Sequence, residues 1–119
     1  MTQESANTEP VVYINGDYQP LSIARVSPID QGFLLGDGVF DVVSSWDGII
    51  FKLDEHLDRF FDSLQAARLQ TRLTPDQWRQ VIIETTQKNN LRDASIRFIE
   101  RRRRLVVSKQ ISTCCGIVV

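Results

Sequence analysis

The stretch Asp30–Arg59, DQGFLLGDGVFDVVSSWDGIIFKLDEHLDR, decides the reading of this 119-residue chain. Three of the chain's six glycines, Gly32, Gly36 and Gly38, open it. Glycine permits tight turns and close backbone approach, so this density predicts a loop shaped to fit something. Val39 to Trp46 then alternates as a strand, with Val39, Asp41, Val43 and Ser45 on one face and Phe40, Val42, Ser44 and Trp46 on the other. Asp47-Gly48 is a hairpin turn signal, and Ile49 to Leu53 reads as the returning strand. Asp54 is placed to cap the next helix, with Glu55 in its first turn. Leu57, Phe60, Phe61 and Leu64 repeat at helical spacing, and His56, Arg59 and Ser63 run along the flank of that apolar stripe. Arg59 therefore stands at the edge of the buried face, within reach of a cleft.

Working outward, Val11 to Ile14 is a short β-prone run followed by the turn Asn15-Gly16-Asp17. Tyr18 to Ala24 reads as the second arm of that hairpin, weakened by Pro20. Downstream, Thr74-Pro75-Asp76-Gln77 is a capping box with proline at the first helical position. Trp78, Val81, Ile82 and Thr85 share one face of the helix, and Asn89-Asn90 ends it. Ala94 to Ile99 is a strand with Ile96 and Phe98 on one face and Ser95, Arg97 and Ile99 on the other. Strands, two consecutive helices and a further strand define an α+β chain, an antiparallel sheet with two helices packed on it.

Composition narrows the function classes. The chain is 42% hydrophobic and 24% charged, ordinary for a soluble globular domain. Its net charge of −1 supplies no global field for nucleic acid or an anionic membrane. Its apolar runs are too short to span a bilayer. The opening MTQESANTEP carries no basic residue, so residues 1–10 are expected to be a disordered tail rather than a signal or transit peptide. Cys114 and Cys115 are adjacent and no histidine lies near them, which gives neither a disulfide framework nor a metal set; no metal is expected, and a reducing, cytoplasmic setting is. The run Arg101 to Arg104 puts like charges on both faces of any strand and suits a sheet interior poorly. A domain over 11–99 followed by a divergent basic and apolar tail over 100–119 is the resulting expectation. Four arginines contact phosphates readily, but no aromatic platform accompanies them, so a nucleic-acid partner is not expected.

DQGFLLGDGVFD, the hairpin after it and FKLDEHLDRFFDSLQ together resemble the N-terminal domain of the class IV, or fold-type IV, pyridoxal-phosphate aminotransferases. That family includes branched-chain and D-amino-acid aminotransferases, (R)-selective amine transaminases and aminodeoxychorismate lyase. The match runs from about Tyr13 to Ile99. What the resemblance implies is transfer of an amino group between an amino acid or amine and a 2-oxo acid, with pyridoxal 5'-phosphate as cofactor, in a homodimer. It implies that Arg59 binds the cofactor phosphate, where the residues alone also allow a solvated arginine paired with Asp62 or Glu55. It implies that Phe40 lines the substrate pocket, where the residues alone also allow a core phenylalanine. Arg97 resembles a strand arginine near the substrate in the branched-chain branch. His56 is expected to orient rather than to act as acid or base. Asp41 stands where the family usually has Glu, and Lys52 where it commonly has Arg. The Schiff-base lysine belongs to the family's C-terminal domain, and Lys109 stands in an unlike context. No catalytic residue is therefore assigned here, and the chain alone is expected not to turn over. The alternatives are an inactive remnant that binds a full-length homologue, or part of an aminodeoxychorismate-lyase-like enzyme.

Overall fold

The structure is a computed structural model that describes residues 9–102 and the backbone of residues 115–118. It is an α+β arrangement in which one six-stranded sheet carries two long helices. The strands are β1 (Val11–Ile14), β2 (Asp17–Pro20), β3 (Gly38–Trp46), β4 (Ile49–Ile50), β5 (Ala94–Arg101) and β6 (Cys115–Val118). The helices are α1 (Gln31–Leu35), α2 (Leu53–Ala66) and α3 (Pro75–Lys88), with a 3-10 turn at Leu21–Ile23. The sheet order is β2-β1-β6-β5-β3-β4, and its neighbouring strands run antiparallel.

The hairpin turns form as their dipeptides require. Asp47 and Gly48 both take positive φ, 54° and 83°, the pair of left-handed conformations that a two-residue turn matching strand twist needs. Thr74 accepts from the Gln77 amide while the Gln77 side chain accepts from the Thr74 amide, with Pro75 opening α3. Asn89 closes that helix.

Local expectations fail where neighbours intervene. Asp30 caps a short helix, α1, where a loop was expected: its carboxylate accepts from the Phe33 amide, and Gly36 ends the helix at φ 69°. The returning strand β4 stops at Ile50 because Lys52 turns left-handed at φ 53° and becomes the N-cap of α2. Asp54 thus lies inside the first turn rather than at the cap. The second hairpin arm stops at Pro20; the Leu21 amide still donates to the Pro10 carbonyl at 2.8 Å before the chain enters the 3-10 turn. β5 runs on to Arg101, and β6 enters the middle of the sheet between β1 and β5. Arg101 sits in that strand and is buried, against the expectation that the arginine run avoids the sheet. Residues 1–8, 103–114 and 119, with most of the expected tails, lie outside the described residues.

Both long helices cover one face of the sheet. Val43, Ile96 and Phe98 from β3 and β5 meet Leu57, Phe60 and Leu64 of α2 and Trp78 and Ile82 of α3. Phe60, Trp78 and Phe98 are each fully buried. The Phe60 ring lies 5.0 Å from Trp78 and 4.8 Å from Phe98, both edge-on, the arrangement that matches aromatic quadrupoles. The Trp78 indole N–H donates to Thr71 Oγ1 at 3.0 Å, so this core buries no unsatisfied indole.

Candidate functional site

The alternation of β3 sends neighbouring residues to opposite sides of the sheet. Asp41, Val43 and Ser45 are buried beneath the helices, whereas Phe40 on the other face is 63% exposed. Phe40 opposes Ile99, and Val42 opposes Arg97, in the β3–β5 register. Phe40, Arg97 and Ile99 therefore share the face away from the helices. With Phe33 of α1 and Val26 they line an open cleft of about 610 Å³. Among the described residues Arg97 carries no ion pair or hydrogen bond, so its guanidinium is available at a wall whose other charged residues, Asp30 and Arg101, pair with each other.

The glycine loop forms one rim of this cleft, and arginines hold it in place. Arg101 donates from Nε to Asp30 Oδ2 at 2.9 Å, with both side chains buried. Arg102 donates from Nε to Asp37 Oδ2 at 2.7 Å and reaches the carbonyls of Ala67 and Arg68 at the end of α2. The acids bracketing α1 are thus tied to the end of β5. Gly32 faces the Arg101 side chain so closely that a Cβ there would lie 2.9 Å from its carbons. The glycine is needed for close approach. Two of the four consecutive arginines are therefore committed to carboxylates.

Arg59 lies on the other face. Its Nε donates to Asp41 Oδ2 at 3.0 Å and its Nη2 to Asp41 Oδ1 at 2.8 Å, a two-pronged pair. His56, one turn earlier on α2, places Nδ1 3.0 Å from Asp41 Oδ1, and the Val42 amide donates to the same oxygen at 2.8 Å. Asp41 is buried while the Arg59 side chain is 66% exposed. Burial by itself pushes the Asp41 carboxyl up. The hydrogen bonds from Arg59, His56 and Val42 and the Arg59 charge outweigh it and hold the carboxyl below its ordinary range. The same pairing raises the Arg59 guanidinium above its ordinary value. A carboxylate only accepts, so the contact to Asp41 takes the His56 proton on Nδ1, and Arg59 Nη2 lies 3.2 Å from the same nitrogen. Neither Asp62 nor Glu55 is the partner of Arg59.

These two clusters meet at one edge of the sheet. β4 pairs with β3 only at Ser45 and Trp46, and the Phe51 amide adds a bond to the Ser44 carbonyl at 2.8 Å. The backbone groups of Val42 and Phe40, two and four residues back, point the same way by strand alternation. They lie past the end of β4, and Asp41 itself takes the Val42 amide. Phe40 and the Asp41–Arg59 pair thus flank an open edge from opposite faces. Sequence spacing assigned both faces of β3 but gave no sign of Asp41 as the partner of Arg59 or of Asp30 as that of Arg101.

Fold and site together define a single-sheet α+β domain with an apolar cleft on its open face and an arginine–carboxylate pair at the adjoining edge. Residues 38–112 match the family model for amino-transferase class IV, and the chain belongs to that family. It is 42% identical over 91 residues to a putative branched-chain-amino-acid aminotransferase of Methanocaldococcus jannaschii, covering 76% of this chain and 32% of that protein. It is 32% identical over 85 residues to a D-alanine aminotransferase of Staphylococcus haemolyticus, covering 71% of this chain and 30% of that one. The solved branched-chain amino acid aminotransferase from Escherichia coli has the same fold with a TM-score of 0.83 at 21% identity, over 93% of this chain and 40% of that chain. Another solved branched-chain amino acid aminotransferase, complexed with N-(5'-phosphopyridoxyl)-L-glutamate, gives 0.79 at 21% identity, over 92% of this chain and 40% of that one. The chain spans about a third of the length of these curated relatives.

Proposed function

We propose that this chain supplies the cofactor-phosphate anchor and one wall of the substrate pocket of a pyridoxal-phosphate aminotransferase. The reaction moves an amino group between an amino acid or amine and a 2-oxo acid. One observation carries the reading: a buried carboxylate clamps Arg59 along its Nε–Nη2 edge while the side chain stays exposed, at the sheet edge that Phe40 borders from the opposite face. A planar, permanently charged donor set of this kind suits phosphate oxygens. Pyridoxal phosphate, when bound, supplies the electron sink for amino-group transfer. In this reading Arg59 holds the phosphate, Phe40 packs on the substrate side, and Arg97 offers a cation to a substrate carboxylate.

The same reading includes a homodimeric, cytoplasmic parent enzyme without a nucleic-acid or membrane partner. Against a nucleic-acid partner, Arg101 and Arg102 are engaged by Asp30 and Asp37. Among the described residues, neither Lys52 nor Lys88 lines the cleft. The chain by itself is expected to form no keto acid from an amino donor in the presence of pyridoxal phosphate, and detectable product would overturn that part.

Equilibrium dialysis tests the anchor. The chain should retain pyridoxal 5'-phosphate about tenfold better than pyridoxal, and Arg59→Ala should abolish that preference. Equal retention of both compounds by the wild type would sink the reading.

A further inference from the structure

Four donors lie within 3.0 Å of the Asp41 carboxylate. Arg59 Nε fills Oδ2, while Arg59 Nη2, His56 Nδ1 and the Val42 amide all converge on Oδ1. The neighbours Phe40 and Val42 face the other side of the sheet. We propose that Asp41 is the positioning residue of the anion site: it fixes the plane of the Arg59 guanidinium so that Nη1 faces a phosphate. The proposal rests on the reading of Arg59 as the phosphate anchor.

Two opposing effects follow from a carboxylate at this place. An exposed arginine samples many rotamers, and ordering it on binding costs about a tenfold loss of affinity. A partner that has already ordered the side chain removes that cost. Against this, a negative charge on the far side of the guanidinium repels an incoming anion. Acting mostly through water, that repulsion weakens binding by about threefold. Ordering wins, because Arg59 is exposed enough for the solvent to screen the charge while Asp41 is buried and immobile. His56 strengthens the clamp. Standing three residues before Arg59 on α2, it meets the same Oδ1 as Arg59 Nη2, 3.2 Å from that nitrogen, and holds the carboxylate against rotation.

The sign of the effect separates this role from charge neutralisation. Asp41→Asn keeps the shape of the side chain and removes both the charge and one of the two acceptor oxygens. If Asp41 orders Arg59, the variant retains pyridoxal 5'-phosphate at least threefold less well than the wild type, with the retention of pyridoxal unchanged. Asp41→Glu, which restores a two-oxygen acceptor, regains most of the difference. Unchanged or tighter binding by Asp41→Asn overturns the proposal. If Arg59→Ala loses the phosphate preference while Asp41→Asn keeps it, only the Asp41 role falls. A wild type with no phosphate preference overturns the anchor and the positioning role together. A ligand-free readout guards against misfolding. In nitrogen-15-labelled wild type, the Arg59 Nε–H resonance should be resolved and slow to exchange, and in Asp41→Asn it should merge with the solvent-averaged arginines while the backbone spectrum is preserved. An Arg59 resonance that stays resolved and protected in Asp41→Asn overturns the proposal without any cofactor present.

Discussion

The two faces of the sheet differ in kind although the same strands make both. Beneath α2 and α3, β3 and β5 contribute Val43, Ile96 and Phe98 to a close-packed aromatic core. On the opposite face, Phe40 and Trp46 are more than 60% exposed, and Arg97 stands in the cleft. Each face also has a carboxylate–arginine pair near it, built to different ends. Asp30 and Arg101 are both buried, which makes that pair a staple for the cleft rim. Asp41 is buried but Arg59 is not, which makes that pair a mount for an outward-facing cation. What differs is which partner meets water, and that decides whether an ion pair holds the fold or serves a ligand.

The contrast is sharpest in the phenylalanines of the two faces. Phe98→Ala should cost about 3–5 kcal/mol in chemical denaturation, through lost transfer energy and the cavity left under the helices. Phe40→Ala should change stability by no more than about 0.5 kcal/mol. A comparable loss from both would show that the open face is covered in solution, and would break the distinction. Next in size is the staple. Arg101→Ala leaves the Asp30 carboxylate buried without that partner and should cost about 3 kcal/mol. The amides of Gly32 to Asp37 should then lose protection in hydrogen exchange ahead of those in α2. Uniform loss across the molecule would argue that the pair supports the whole sheet instead.

The smallest effect is acid dependence. The Asp41 carboxyl lies below its ordinary value in the folded chain, so its contribution is fully present above about pH 3.9, the unfolded value. It is lost as the pH falls through the lower folded value. The stability gap between wild type and Asp41→Asn should therefore be constant near neutrality and narrow below that pH, as read from urea midpoints. A gap that stays constant to the acid limit would mean the carboxyl is not held down by its donors.

Much of this was legible in the chain. The turns Asn15-Gly16 and Asp47-Gly48, the capping box at Thr74, the faces of β3 and β5 and the apolar stripe of α2 follow from local chemistry, because each depends on residues a few positions apart. The family motifs at Asp30–Asp41 and Phe51–Gln65 are contiguous for the same reason. The left-handed Lys52 that starts α2 early carries no such mark, since positive φ at a lysine is chosen by the chain's path rather than by its side chain.

Residue order alone determined the element types, the alternation that separates Phe40 from Asp41, and the helical phase that puts Arg59 on the flank of a buried stripe. Only the tertiary structure decided which face the helices would cover. It also decided that Arg59 would meet Asp41 across 18 residues and that Arg101 would meet Asp30 across 71. Charge partners at such separations are set by how the sheet and helices stack, and any acid in the chain satisfies the local preference of an arginine equally well. An unpaired carboxylate is too costly to bury, so packing Asp30 and Asp41 inside the fold required these arginines, and at Asp41 left one guanidinium facing out.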